Sequence, residues 1–129
     1  MNENKNRQAV ERLWQAFDKL DFEAAGEVLH DDFIAEWPQS RERMHKDNFL
    51  AVNKNYPGTW RITILRIIAE GDQVASEVRI EIDGRTDYAV SFYELRDGKI
   101  IKEIDYWPEP NEAPAWRAQW VEKIELTSN

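Results

Sequence analysis

Apolar residues recur at three- and four-residue spacing near the start of the chain: Val10, Leu13, Trp14 and Phe17 fall on one stripe of a helix predicted from about Glu3 to Lys19. Asp21 stands where a side-chain acceptor caps a second, short helix carrying Phe22, Ala25, Val28 and Leu29. Phe33–Trp37 reads as a short strand closed by Pro38. A third helix, from about Lys46 to Asn55, turns Phe49 and Val52 inward and stops before Tyr56-Pro57-Gly58.

The pattern then changes to strands. Trp60–Ala69, Val74–Ile82, Arg85–Leu95 and Lys99–Trp107 are rich in β-branched and aromatic residues, separated by Glu70-Gly71-Asp72, Asp83-Gly84 and Asp97-Gly98. Asp-Gly between two strands is a strong hairpin signal, because both residues tolerate positive φ. After Pro108-Glu109-Pro110, Ala115–Ile124 reads as a short closing helix with Trp116, Trp120, Val121 and Ile124 on one side.

Two-residue loops at both Asp-Gly sites set Asp105 opposite Val90 and Val90 opposite Glu77. One sheet face then carries Arg66, Glu77, Arg79, Tyr88, Phe92, Glu103, Asp105 and Trp107. The other carries Leu65, Ile67, Val78, Ile80, Ala89, Ser91, Tyr93, Ile104 and Tyr106. The sorting assumes unbroken alternation, since one bulge reverses the parity of a strand. Neither face reads as a solvated surface, so an antiparallel sheet covered by helices on one side needs a second subunit or a ligand cavity for the other.

At 129 residues the chain is one domain, 1–129, with no internal repeat or linker. The net charge of −8 is interleaved along the chain with no basic stripe to neutralise phosphates, which argues against nucleic-acid binding. With no cysteine there is no disulfide, thiol nucleophile or thiolate-bound zinc, and the two histidines, His30 and His45, are too far apart to suggest a metal site. No cofactor is implied. Neither a signal peptide nor a membrane-spanning apolar run is present, so a soluble cytoplasmic protein is expected.

The candidate chemistry centres on Asp105, a lone carboxylate at the aromatic end of the last strand, in Ile104-Asp105-Tyr106-Trp107. A bare buried charge is costly, so Asp105 must be paired, neutralised or solvated, and burial of this kind is how many catalytic acids and bases are made. Two readings stand: a general acid or base oriented by Arg79 and Glu77, or a structural ion pair with Arg79 or Arg66. Glu77 and Arg79 also fit an exposed cross-strand ladder. Tyr88 is a candidate donor to a ligand oxygen, or a core tyrosine bonded to backbone. Trp14, Trp37, Trp60, Phe92 and Trp107 are core aromatics or the wall of a pocket for a flat apolar ligand. His45 either caps the third helix or shuttles protons, and His30 is a turn residue.

The order of elements, with Leu20-Asp21-Phe22-Glu23-Ala24-Ala25, His30-Asp31-Asp32-Phe33, Arg96-Asp97-Gly98-Lys99-Ile100 and Asp105-Tyr106-Trp107, resembles the SnoaL-like branch of the nuclear transport factor 2 superfamily. The resemblance implies an α+β cone: N-terminal helices packed on a curved, mostly antiparallel sheet, with a short C-terminal helix, around a pocket that the helices close. It matches Asp105 to the inward-facing aspartate of limonene-epoxide hydrolase-type and SnoaL-type members. That would turn the mixed face inward and the Val78/Ile80/Ser91/Ile104 face outward, into a homodimer interface. Where the epoxide hydrolases have Arg-x-Asp on the middle strand this chain has Glu77-Val78-Arg79. Where ketosteroid isomerases have an aspartate base and a helix-one tyrosine it has Trp37 and, most nearly, Leu13. Two function classes follow: an isomerase, cyclase or hydrolase acting by general acid/base chemistry on a small apolar or cyclic molecule, or a non-catalytic ligand-binding or structural homodimer whose pocket is filled by its own aromatics.

Overall fold

The computed structural model describes residues 2–125. Helix α1, Asn2–Asp18, buries the expected stripe together with Ala9 and Ala16, whose small side chains let it lie close to the sheet. Asn6 is the polar exception on that buried side, and its amide donates to the Gly71 carbonyl at 2.9 Å. At the other end, Asp18 Oδ1 accepts from the Ile62 backbone N–H at 2.7 Å and from Arg61 Nε at 3.3 Å, which pins the start of a long strand to the helix terminus. Helix α2, Phe22–Glu27, is capped as expected: the Asp21 carboxylate accepts from the Ala24 N–H at 3.0 Å.

Strand β1, Leu29–Trp37, is longer than the sequence pattern suggests, because its first half alternates poorly. It turns back antiparallel into β2, Glu42–His45, an element the pattern did not predict. Only Met44 of β2 is buried, so no period marks it, and its charged side chains suit a strand at the sheet edge. Helix α3, Lys46–Lys54, follows at once, with His45 at its N-cap but making no side-chain cap bond. The remaining strands are β3, Trp60–Glu70; β4, Gln73–Ile82; β5, Arg85–Arg96; and β6, Lys99–Tyr106. They form one six-stranded sheet in the order β2-β1-β6-β5-β4-β3, antiparallel except for β1 beside β6. The helices cover one face and enclose a core that includes Val10, Leu13, Phe33, Phe49, Val78 and Ile100.

Both Asp-Gly turns form as expected. Asp83 and Gly84 (φ 48° and 81°) and Asp97 and Gly98 (φ 53° and 79°) occupy the left-handed region that a two-residue hairpin requires. The sheet departs from unbroken alternation at Leu65 of β3, which is extra between the Ile64–Val78 and Arg66–Glu77 pairs, and again in β6. Leu95 pairs with Ile100, but Glu94 pairs with Lys102, so Ile101 is an extra residue in β6. Beyond this bulge every β6 side chain changes face relative to β5: Asp105 stands opposite Ser91, and Glu103 opposite Tyr93. The β4–β5 pairing is unbroken, with Val90 opposite Glu77 as expected.

The face assignment is corrected accordingly. Val78, Ile80, Ala89, Ser91 and Tyr93 share the helix-covered inner face with Glu103, Asp105 and Trp107. Glu77, Arg79, Tyr88, Val90 and Phe92 lie on the outer face with Ile104 and Tyr106. The short C-terminal helix forms as a 3-10 helix, Ala115–Trp120, which ends before the expected Ile124, and every residue from 108 to 125 is exposed. Prolines at 108, 110 and 114 stiffen its approach, and so short an α-helix does not hold in water without packing.

Candidate functional site

Trp37 is the last residue of β1 and lies beside the end of β6, because Glu36 pairs with Ile104 across the parallel junction. Its indole Nε1 donates to Asp105 Oδ2 at 2.9 Å, while the Ser91 hydroxyl donates to Oδ1 at 2.5 Å. Asp105 is 7% exposed, so these two neutral donors replace water around its carboxylate. Neither arginine once considered as its partner reaches this face. Arg66 pairs with Glu77 at 2.7 Å on the outer face, and Arg79 Nε lies 3.8 Å from Glu81 there.

Deeper along the same face is a second polar group. Tyr93 and Ser76 share a hydrogen bond of 2.8 Å, and Trp14 Nε1 points at both, 2.8 Å from the Tyr93 hydroxyl and 3.1 Å from the Ser76 hydroxyl. Burial pushes the Tyr93 phenol well above its ordinary range, and the carboxyl groups of Glu103 and Asp105 add to the effect. Between the two groups lies Glu103, 1% exposed, whose carboxyl group interacts with the Asp105 carboxylate. Desolvation first, and then the negative charge of Asp105 and a side-chain hydrogen bond to it, push the Glu103 carboxyl well above the carboxylate range. Burial therefore favours the uncharged form of Glu103, which is set two residues before Asp105 on the same face.

A cavity of about 110 Å3 opens beside Asp105. Trp14, Phe17, Trp37 and Trp107 line its inner part, with Trp37 and Trp107 meeting edge to face at 5.0 Å. Trp60 and the exposed Tyr56 line its outer part, themselves edge to face at 5.9 Å. Asn53, Asp87 and Asp105 are the polar lining groups, and Asp87 is engaged by Arg85 at 3.0 Å. Chemically, this is an apolar slot with one clamped carboxylate at its wall.

Among the expected site residues, Trp14, Trp37, Trp60, Trp107 and Asp105 are brought together around this cavity. Glu77, Arg79, Tyr88 and Phe92 are not, because the bulge at Ile101 puts them on the opposite face. Phe92 is 51% exposed there, edge to face with Tyr106. Three inner-face groups escaped the sequence reading as site residues: Ser91, Tyr93 and Glu103. The signal available was Glu103-Ile104-Asp105, two carboxyls at strand period that must share a face whatever the register. Among the described residues no cluster of side chains suited to a metal ion occurs, and no helix is long and apolar enough to cross a membrane.

Helices on one face of a curved mixed sheet, with a cavity between them at the end of the last strand, define the nuclear transport factor 2-like fold. Residues 10–103 match the SnoaL-like domain, and the chain belongs to that family. An NTF-2 like protein of unknown function from Burkholderia xenovorans LB400 is 39% identical, with a TM-score of 0.82 over 97% of this chain and 99% of that one. A candidate ketosteroid isomerase from Kribbella flavida DSM 17836 is 28% identical, with a TM-score of 0.88 over 97% of this chain and 93% of that one. An LEH-like epoxide hydrolase from M. tuberculosis, 22% identical over 84% of this chain and 86% of that one, shares the fold at a TM-score of 0.72. Comparison with curated proteins gives no match.

Proposed function

We propose that the protein binds a small, largely apolar molecule in the tryptophan-lined cavity and acts on it as an isomerase, cyclase or hydrolase, with Asp105 as the general base and then acid. The observation that carries this reading is the Asp105 carboxylate, 7% exposed at the cavity wall and held by the neutral donors Ser91 and Trp37. The two donors orient the carboxylate at the cavity wall. The proton it takes from a substrate C–H or O–H returns to the product from the same oxygen. Glu103 lies behind it, where burial favours the uncharged acid. Relatives described as epoxide hydrolase and candidate ketosteroid isomerase are consistent with such chemistry on this fold.

Size narrows the substrate. An apolar cavity of about 150 Å3 accommodates benzene, so about 110 Å3 suits a single ring or a short branched chain, with any remainder extending past Tyr56. Apolar walls supply affinity and Asp105 fixes orientation. Small ketones, epoxides and aromatic polyketide fragments should quench tryptophan fluorescence saturably. Asp105→Asn should keep that affinity within a few-fold while turnover of any converted compound falls by about a hundredfold or more. Quenching by none of these compounds would refute the cavity as a ligand site.

A second reading, a non-catalytic binding or structural protein, is favoured by the fact that both Asp105 oxygens already have partners. Binding that survives Asp105→Asn, with no compound ever converted, would select it. Both readings include a homodimer through the outer sheet face, where Leu65, Ile68, Val90, Phe92 and Tyr106 are each 40–60% exposed.

A further inference from the structure

Six aromatic side chains line the cavity beside Asp105: Trp14, Phe17, Trp37, Tyr56, Trp60 and Trp107. Burial alone does not call for so many. Aliphatic side chains would close an apolar slot of about 110 Å3 as well, and Ile62, Ile80 and Ile82 already do so on the sheet side. What an aromatic wall adds is electrical. Each ring carries negative potential over its face and positive potential at its edge, so several rings around one space attract a cation into it.

The rings are arranged as corners. Trp37 and Trp107 meet at an interplanar angle of 89°, Trp14 and Phe17 at 76°, and Tyr56 and Trp60 at 73°. None of these pairs is a flat stack. Their positive edges are also spent on the protein itself. The indole N–H of Trp14 points at Ser76 and Tyr93, that of Trp37 donates to Asp105 at 2.9 Å, and that of Trp60 donates to the Phe17 carbonyl at 2.9 Å. Three of the four tryptophans therefore have no N–H left to offer a ligand oxygen, and what they can offer is ring surface.

The polar groups of the lining point the same way. Asn53, Asp87 and Asp105 are among the lining residues, and no lysine, arginine or histidine is. Asn53 commits an amide N–H to the Phe49 carbonyl at 2.8 Å. Asp87 is met by Arg85 at 3.0 Å, with the arginine side chain 57% exposed. Asp105 accepts from Trp37 and Ser91, and each carboxylate oxygen keeps a further lone pair for a ligand. Burial first, and then the carboxyls of Glu103 and Asp105, push the Tyr93 phenol upward, so the negative potential of this wall reaches deeper along the face.

We infer that the cavity is an aromatic cage for a small alkylammonium ion, a tertiary or quaternary amine whose methyl groups fill the tryptophan walls and whose positive charge lies beside the Asp105 carboxylate. This rests on the reading above that the cavity takes a small, largely apolar ligand, and it names that ligand's polar end. Such an ion suits both halves of the site. Its methyl groups shed water into the walls, and its charge is met by ring faces and one carboxylate. A primary ammonium carries three N–H donors and would leave some of them without an acceptor here, so it should bind less well.

Titration calorimetry of the full chain with choline, and with the uncharged alcohol in which carbon replaces its nitrogen, tests this, since the two ligands share size and shape. Choline should bind about 10-fold tighter. Trp60→Leu removes one ring and keeps an apolar wall at a half-buried position, with circular dichroism to check the fold. It should weaken choline by about 5-fold and leave the alcohol within about twofold. Asp105→Asn should weaken choline by about 10-fold while the alcohol stays within a few-fold. Equal affinity for the two ligands, or tighter binding of the alcohol, would overturn the cage and leave the apolar cavity standing. A preference for choline that survives either variant would place the cation elsewhere on this acidic chain and overturn the cage as well. Binding of neither ligand would overturn the cage, and the ketone and epoxide screen then decides separately whether the cavity is a ligand site at all.

Discussion

On the helix-covered face of the sheet, Glu103 and Asp105 are 1% and 7% exposed, and Asp105 is held by a serine and a tryptophan. On the opposite face, Arg66 and Glu77 meet at 2.7 Å with the arginine side chain 69% exposed. Both faces carry carboxylates, yet they handle them differently. Outside, Arg66 and Glu77 match charge by charge and share it with water. Inside, burial favours the uncharged form of one acid and neutral donors hold the other, because a cation drawn into this core would bring its own desolvation cost. The lesson is that the side of the sheet decides how a carboxyl group is handled: by a cation where water remains, by burial and neutral donors where it does not.

The sharpest way to break this contrast is to place one identical charge on each face. Val78 is fully buried on the inner face, and Val90 is 40% exposed on the outer face. Val78→Asp should cost about 4 kcal/mol or more, since it buries an unpaired charge in the core. Val90→Asp should change the stability of the monomer by no more than about 0.5 kcal/mol. Urea unfolding under conditions that keep both variants monomeric compares them directly. Equal losses, or the reverse order, would mean that the face assignment set by the bulge at Ile101 is wrong.

A smaller effect distinguishes the two carboxyl groups of the inner face. The folded-state pKa of Glu103 is raised above its ordinary value of 4.5. The folded protein therefore holds this proton over a pH range in which the unfolded chain has lost it. The group leaves stability untouched below 4.5, and stability is lost progressively as the pH rises from there towards the folded value. Glu103→Gln keeps the shape without the ionisation. The difference in unfolding free energy between wild type and variant should shift in favour of the glutamine as pH rises, by up to about 1.4 kcal/mol per pH unit. Parallel pH profiles from pH 4 to 8 would show that Glu103 titrates normally and that the inner face holds two charges.

The sequence made much of this visible, for identifiable reasons. Asp-Gly at 83–84 and 97–98 set two hairpins because few other residue pairs tolerate two positive φ values in succession. The stripe of α1 is legible because Leu13, Trp14 and Phe17 all point at one core. The bulge left no comparable mark. Ile101 is as good a strand residue as Ile100, and only packing decides which of them is extra. That one residue turned Asp105 and Glu103 towards Ser91 and Tyr93, so the acid itself was legible while its partners were not. The tryptophans of the cavity survived the error: Trp14, Trp37 and Trp60 lie on elements outside the shifted pairing, and Trp107 moved with Asp105. The C-terminal helix was legible, but not that it is a 3-10 helix ending at Trp120 with its tryptophans exposed, because apolar spacing alone cannot say whether a helix has a body to pack against.

The smallest expected effect is on the outer face, and it measures how open that face is. Arg66 and Glu77 form a cross-strand pair at 2.7 Å, with Glu77 31% exposed. In an isolated chain, water screens such a pair, and a double-mutant cycle with Arg66→Ala and Glu77→Ala should give a coupling of about 0.2–1 kcal/mol that shrinks with added salt. If a second copy covers the face, the same two groups lose water, and their coupling should rise with protein concentration and respond less to salt. The cycle is therefore measured twice, in the Val90→Asp background and in the parent chain at micromolar concentration. A coupling near the exposed value in both would mean that the pair stays at the solvent rim and that the interface lies closer to Val90, Phe92 and Tyr106. A larger, salt-resistant coupling only in the parent chain would show that the partner copy reaches as far as β3 and that the outer face, like the inner one, excludes water from its charges.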